Sequence, residues 1–157
     1  MSQTVETESA PLPVAPYTPQ VLALICERSV PIADLVDAES RLKGAEHVFV
    51  LRFPCSGMIK PALAQLALDE GWDGVIVVGC AVGDCHFREG NLWARERFRG
   101  DRAPNKFRRM DQRRVALLWR AIPEGEEFMQ TVRDFTAGLA ELPPNVRKDD
   151  GKASRRR

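Results

Sequence analysis

Short hydrophobic runs alternate with mixed hydrophobic and polar segments along the middle of the chain. The runs are rich in Val, Ile and Leu, a composition typical of strands that are buried on both faces of a sheet. They predict four strands, with the sequences VLALIC at 21–26, HVFVLRF at 47–53, GVIVVG at 74–79 and RVALLWRAI at 114–122.

The segments that follow the strands have the features of helices. PIADLVDAESRLKG (31–44) and KPALAQLALDEG (60–71) each have a proline at or near the start and a glycine at the end, which is the favoured arrangement around a helix. GEEFMQTVRDFTAGLAEL (125–142) carries an apolar stripe at steps of three and four residues, formed by Phe128, Val132, Phe135 and Leu139.

This alternation of strands and helices predicts an α/β fold. Crossovers of this length join parallel strands with a right-handed turn, so helices cover both faces of the sheet. We therefore expect a four-stranded parallel sheet flanked by helices, in the flavodoxin-like order 2-1-3-4.

The two ends of the chain differ from its middle. Residues 1–19 contain four prolines among Ser, Thr and Glu, and 143–157 begin with two prolines and end in arginines, so we expect disordered tails around one domain at 20–142. Because the chain has neither a signal sequence nor about 20 consecutive apolar residues, we expect a cytoplasmic protein without a membrane span. The formal net charge of +1 gives no overall argument for nucleic-acid binding.

All four cysteines of the chain follow or end predicted strands. Cys26 ends the first strand, Cys55 follows the second, and Cys80 and Cys85 follow the third. The carboxyl ends of parallel strands share one edge of the sheet, where ligand sites form. In a reducing compartment, cysteines that converge in this way indicate metal or redox chemistry rather than structural disulfides.

Four converging thiolates suit either an iron-sulfur cluster or a tetrahedral zinc ion. The four residues between Cys80 and Cys85 equal the spacing of the first ligand pair in plant-type ferredoxins, which favours the cluster. Gly57 and Gly83 would let backbone amides approach the ligands, and His86 is a candidate hydrogen-bond donor to the cluster or to a partner. A thiol relay through a Cys80–Cys85 disulfide and a non-redox adaptor with structural zinc remain as alternatives.

Several motifs together resemble one known family. They are FPCSGMI, GVIVVGCAVGDCHFREGN, ARERF, RVALLW and EGEEF, spread over about residues 20–142. In these motifs the chain resembles the delta subunit of methyl-viologen-reducing hydrogenase, also called the hydrogenase iron-sulfur subunit.

The resemblance implies an electron-transfer subunit with one 2Fe-2S cluster. It implies electron relay between a hydrogenase or formate dehydrogenase module and a heterodisulfide-reductase-A-like flavoprotein, without catalysis by this chain alone. The matching ligands are Cys26, Cys55, Cys80 and Cys85, and Asp84 lies inside the shared GDCH motif. Family members often carry additional cysteines in the first loop, where this chain has Ser29.

An arginine-rich segment follows the last cysteine. We expect it to dock an acidic partner protein, since arginine is favoured at interfaces and opposite charges steer encounter. Few aromatic residues alternate with the arginines, so nucleic acid is not expected as the partner. The candidate docking residues are Arg95, Arg99, Arg102, Arg108 and Arg109.

Overall fold

A five-stranded sheet forms the centre of the computed structural model, which describes residues 17–103 and 110–146. The strands are β1 (Val21–Cys26), β2 (Arg41–Leu42), β3 (Ala45–Phe53), β4 (Gly74–Gly79) and β5 (Val115–Trp119). They lie in the order β2-β3-β1-β4-β5. Neighbours among β3, β1, β4 and β5 are parallel, and β2 is antiparallel to β3.

The mixed α/β class is thus confirmed, but the predicted four-stranded, all-parallel sheet is not matched in full. The four longer strands follow one another as β3-β1-β4-β5, and the short β2 adds an antiparallel strand at one edge. Most residues of the predicted tails, 1–16 and 147–157, lie outside the described part of the chain.

Three α-helices occur within the described residues. They are α1 (Pro61–Asp69), α2 (Gly90–Arg99) and α3 (Gly125–Ala140). Pro61 is the first residue of α1, and Gly100 adopts a left-handed conformation just after α2, with φ of 87°. None of the helices in these parts of the chain is both long and apolar enough to cross a lipid bilayer.

The prediction of a helix over 31–44 is wrong. A single 3-10 turn, Ala33–Leu35, is followed by the hairpin of β2 and β3. The carboxylate of Asp37 accepts hydrogen bonds from the backbone N–H groups of Glu39 (3.0 Å) and Arg41 (2.7 Å). Such bonds compete with helical hydrogen bonding, so the chain turns here although its pattern of apolar residues is compatible with a helix.

Helices cover both faces of the central strands. Every residue of β1 and of β4 is buried. On one face, Val21, Ala23 and Ile25 of β1 belong to a core that includes the predicted stripe of α3. In this stripe Phe128, Val132 and Leu139 are buried, and Phe135 packs against the core. On the other face, Leu22 and Leu24 belong to a core with residues of α1 and α2. Since both faces are covered, the ends of the strands are what remains for a site.

A polar network closes the amino edge of the sheet. The carboxylate of Asp73, just before β4, accepts from the backbone N–H groups of Gln20 and Asn145, both at 2.8 Å. The guanidinium of Arg114 donates to the backbone carbonyl of Asp73 at 2.9 Å. These bonds hold the chain before β1 and the chain after α3 together, at the end of the sheet opposite the cysteines.

Candidate metal centre

The four cysteines lie at the carboxyl edge of the parallel strands. Cys26 is the last residue of β1, Cys55 comes shortly after β3, and Cys80 directly follows β4. Cys85 lies further along, in the loop that precedes α2. Because β1 lies between β3 and β4 in the sheet, Cys26 is in the middle of this edge.

The sulfur atoms form two close pairs. The Sγ atoms of Cys26 and Cys80 are 3.7 Å apart, and those of Cys55 and Cys85 are 3.8 Å apart. All four thiols are free, and both separations are far above the bond length of a disulfide, about 2.05 Å. Two thiolates on one tetrahedral metal ion lie about 3.8 Å apart when the metal–sulfur bonds are about 2.3 Å. Each pair therefore has the spacing of two ligands of one metal ion.

The two pairs are electrostatic neighbours. Besides burial, a negative charge on Cys26 raises the pKa of the Cys55 thiol. Negative charges on Cys55 and Cys85 likewise raise the pKa of the Cys80 thiol. Within 17–103 and 110–146, however, no three Cys, His, Asp or Glu side chains surround a single ion position. The arrangement is two adjoining pairs of sulfur atoms, which differs from the single four-ligand shell of a structural zinc ion.

Two glycines allow the loops that carry Cys55 and Cys85 to approach each other. The backbone N–H of Gly57 donates to Sγ of Cys55 at 3.3 Å. A Cβ atom on Gly57 would lie 2.8 Å from Cα of Gly90, and a Cβ atom on Gly90 would lie 2.3 Å from Sγ of Cys55. Neither position has room for a side chain without movement of the backbone or of the sulfur.

Asn91 and Arg97 of α2 fix the two cysteine loops, and sequence analysis assigned no role to either. The buried amide of Asn91 donates to the backbone carbonyls of Cys80 (3.0 Å) and Ala81 (2.6 Å). The guanidinium of Arg97 donates to the carbonyl of Gly57 at 2.9 Å. Asn91 ends the GN pair of the quoted motif, a signal that could have been followed, whereas Arg97 is one of many arginines.

Comparison with known proteins identifies the family of this chain. The family described as "Methyl-viologen-reducing hydrogenase, delta subunit" matches residues 21–143. The chain belongs to this family. The resemblance seen in the sequence motifs is thereby confirmed.

Two relatives are iron-sulfur subunits of hydrogenases and similar in length to this chain. The chain is 34% identical over 128 residues to the F420-non-reducing hydrogenase iron-sulfur subunit of Archaeoglobus profundus, covering 82% of this chain and 93% of the relative. It is 30% identical over 131 residues to the F420-non-reducing hydrogenase vhu iron-sulfur subunit of Methanocaldococcus jannaschii, covering 83% of this chain and 97% of the relative.

A third relative is much longer than this chain. It is the A component of the ferredoxin/F420H2-dependent CoB-CoM heterodisulfide reductase of Methanosarcina acetivorans, 34% identical over 127 residues. The match covers 80% of this chain but only 16% of that protein. A delta-subunit domain is therefore one part of a larger polypeptide there.

Burial and mutual charge raise the pKa of two of the thiols in this delta-subunit domain and so favour their protonated form. Burial raises the pKa of Cys80 to about 12, and the charge of Cys26 adds to the shift. Burial also raises the pKa of Cys55, although the backbone N–H of Gly57 acts in the opposite direction. Metal ligation requires thiolates, so a metal ion bound here would displace protons from these sulfur atoms.

Cys85 has the opposite tendency. Burial acts to raise its pKa, but backbone N–H groups of Asn91 and Phe87 donate to its sulfur and lower the pKa below the usual value. Cys85 is also only partly buried, whereas the other three cysteines are buried. Its thiolate is thus stabilised by the loop itself, on the side of the site that faces solvent.

The five residues predicted to surround the ligands lie in two different environments. Ser29 is buried and its hydroxyl donates to the carbonyl of Cys26 at 2.7 Å, and Gly57 contacts Cys55 as described above. Gly83, Asp84 and His86 are exposed. The imidazole of His86 packs edge to face against the ring of Phe87, with a centroid distance of 4.9 Å.

The arginines predicted to dock a partner are only partly described. Arg95 is half-buried, and Arg99 and Arg102 are exposed. Arg102 forms an ion pair with Glu96 at 2.7 Å, and its guanidinium lies 5.3 Å from the centroid of Trp93. Arg108 and Arg109 lie outside the described residues, and docking through this surface remains a prediction.

Proposed function

We propose that this chain is an electron-transfer subunit that carries one 2Fe-2S cluster. The ligands in this proposal are Cys26 and Cys80 for one iron and Cys55 and Cys85 for the other. The observation that carries the proposal is the grouping of the four sulfur atoms into two adjoining pairs, with separations of 3.7 and 3.8 Å.

The paired arrangement supports a two-iron cluster over a single zinc ion. A tetrahedral zinc ion needs all four sulfur atoms at similar distances from one point. A 2Fe-2S cluster needs four cysteines, two at each iron. When bound, such a cluster accepts and releases one electron at a time.

The polypeptide around Cys85 and Cys55 is suited to holding negative charge. Backbone N–H groups of Asn91, Phe87 and Gly90 donate to the sulfur of Cys85, and the N–H of Gly57 donates to the sulfur of Cys55. Hydrogen bonds to ligand sulfur stabilise the more negative state of a cluster and tune its potential. Backbone donors of this kind need only the loop conformation, which the close approach of Gly57 and Gly90 allows.

The relatives support a choice of partners for this electron transfer. Two are named as iron-sulfur subunits of hydrogenases, and a third is named as the A component of a heterodisulfide reductase. We propose that a heterodisulfide-reductase-A-like flavoprotein is one partner and that a hydrogenase or formate dehydrogenase subunit is the other. In this role the chain performs no bond chemistry alone.

Thiol exchange and structural zinc were the alternatives in the sequence. The thiol relay required a disulfide between Cys80 and Cys85, whereas the sulfur contacts pair Cys80 with Cys26 and Cys85 with Cys55. No observation on the described residues favours either alternative over the cluster.

Anaerobic purification followed by iron and sulfide analysis tests the proposal. We expect about two irons and two inorganic sulfides per chain, and an electron paramagnetic resonance signal of a single unpaired electron after reduction. In the Cys85→Ser variant the signal and the visible absorption are expected to change or vanish. The Gly138→Ala variant, whose added Cβ atom would meet no atom within 4 Å, is the control and should match the unaltered protein. Zinc in place of iron, or a metal-free protein under anaerobic conditions, would contradict the proposal.

A further inference from the structure

The hydroxyl of Ser56 is buried without a hydrogen-bond partner. Ser56 is 0% exposed. Within the described residues, its Oγ is one of two buried side-chain polar atoms that lack a partner, the other being Oε1 of Gln65. An unsatisfied buried hydroxyl destabilises a folded protein, so its presence calls for an explanation.

The position of Ser56 brings its hydroxyl among the cysteine loops. Ser56 directly follows Cys55 and begins the 3-10 turn Ser56–Met58. A Cβ atom on Gly79 would lie 2.8 Å from Oγ of Ser56, and Gly79 directly precedes Cys80. Because β1 lies next to β4 and Ile25 pairs with Val78, Cys26 at the end of β1 is the neighbour of Gly79 in the sheet.

Cysteines end or follow the three neighbouring strands β3, β1 and β4 around this position. Cys26 ends β1, Cys55 directly precedes Ser56, and Cys80 directly follows Gly79, the glycine that the Ser56 hydroxyl approaches. On the side of β5, the ring of Trp119 lies against the same glycine, with carbon atoms 2.7 Å from its Cβ position. An aromatic ring does not supply a conventional oxygen or nitrogen acceptor, whereas a cluster held by the cysteines would bring sulfur acceptors to this region.

Ser29 provides the contrast. It is also a buried serine beside a cysteine, but its hydroxyl donates to the carbonyl of Cys26 at 2.7 Å. The hydroxyl of Ser29 therefore already has an acceptor within the protein. Burial of a serine near the site does not by itself leave the hydroxyl unpaired.

We propose that the Ser56 hydroxyl donates its hydrogen bond to a sulfur atom of the bound cluster and thereby raises the reduction potential. The inference rests on the proposed function, because the acceptor is supplied only when the cluster is present. A reduced cluster carries one more negative charge than an oxidised one, and a hydrogen bond becomes stronger as its acceptor becomes more negative. The hydroxyl therefore stabilises the reduced state more than the oxidised state. In this role Ser56 is a tuning residue and not a ligand.

The test compares Ser56→Ala with Ser29→Ala in the complete, cluster-loaded chain. Redox titration followed by electron paramagnetic resonance should show a lower potential for Ser56→Ala. We expect an about tenfold smaller ratio of reduced to oxidised protein at a fixed solution potential, which for a one-electron couple is about 59 mV. Ser29→Ala should shift the ratio much less, and Ser56→Thr, which keeps the hydroxyl, should restore most of the potential.

A second readout is independent of the potential. After exchange into deuterated water, the reduced unaltered protein should lose a strong proton coupling in electron-nuclear double resonance, and Ser56→Ala should lack that coupling from the start. If Ser56→Ala has an unchanged reduction potential and retains all the proton couplings of the unaltered protein, the inference is overturned. Loss of iron from both Ser56 variants would also overturn it, because a hydrogen bond with a tenfold effect does not decide cluster assembly.

The outcomes separate this inference from the proposed function. If the unaltered protein holds no iron under anaerobic conditions, the proposed function fails and the inference fails with it. If it holds the cluster and Ser56→Ala leaves the potential unchanged, only the inference fails.

Discussion

At the scale of the residue, small side chains decide how close the cysteine loops come. Gly90 faces Sγ of Cys55, and a Cβ atom there would lie 2.3 Å from the sulfur. The conformational freedom of glycine is not the issue at this position, since Gly90 lies within α2. What matters is the space that a side chain would take from the sulfur of Cys55, which is a ligand in the proposed function.

Replacement of Gly90 tests this requirement for space. We expect Gly90→Ala to displace Cys55 and to lower the iron content per chain, because overpacking at a close contact costs about 1–3 kcal/mol. Gly138→Ala is the matched control, since a Cβ atom on Gly138 meets no atom within 4 Å. In the interior of α3 that change should be neutral or stabilising by up to about 1 kcal/mol. Equal iron content in both variants would show that the contact at Gly90 has no effect on the site.

At the scale of the element, sequence patterns predicted the four longer strands and the helices α1 and α3 but not the connection after β1. Apolar residues in 31–44 allow a helix, and only the hydrogen bonds that the backbone N–H groups of Glu39 and Arg41 donate to the Asp37 carboxylate reveal a turn. The cysteines could be placed at one edge because all four end or follow strands of one parallel sheet. Their pairing could not be predicted, since it depends on how Gly57 and Gly90 meet.

The role of α2 as a support for the cysteine loops can be tested with two asparagines. Asn91 donates from its amide to two carbonyls beside Cys80. Asn145 donates in the same way to the carbonyls of Leu68 and Trp72, at 2.7 and 2.6 Å, at the opposite end of the sheet. Replacement of either by alanine should lower the free energy of unfolding by about 1–3 kcal/mol, because buried carbonyls lose their donors.

Only one of these two changes should affect the metal. With Asn91→Ala we expect faster loss of iron to a chelator, measured from the decay of visible absorption, because the loop before α2 loses its anchor. With Asn145→Ala we expect the same thermal destabilisation and an unchanged rate of iron loss. Faster loss in both variants would mean that general stability, and not α2, controls retention.

At the scale of the whole molecule, the route of electrons to a partner is a matter of which side of the site reaches the surface. Cys85 is the one cysteine that is not fully buried. Exposed apolar side chains lie in its loop and in the neighbouring turn. Val82 is 52% exposed, Phe87 is 55% exposed and Met58 is 57% exposed. An exposed apolar surface of this kind next to a partly exposed cysteine is typical of a protein contact. The arginines were the predicted docking residues because charge can be read from a sequence, whereas the exposure of a side chain cannot.

Phe87→Ser tests this face of the proposed electron-transfer subunit. Aromatic side chains at the centre of an interface contribute strongly to binding, so we expect an about tenfold lower rate of electron transfer to the flavoprotein partner at limiting concentration. The reduction potential should change little, because Phe87 contributes its backbone N–H and not its side chain to Cys85. Leu66→Ser is the matched control, since Leu66 is also 55% exposed but lies on α1. An equal effect of both changes, or none for Phe87→Ser, would place the contact elsewhere, and a charge reversal at Arg99 would then test the arginine surface as the docking site.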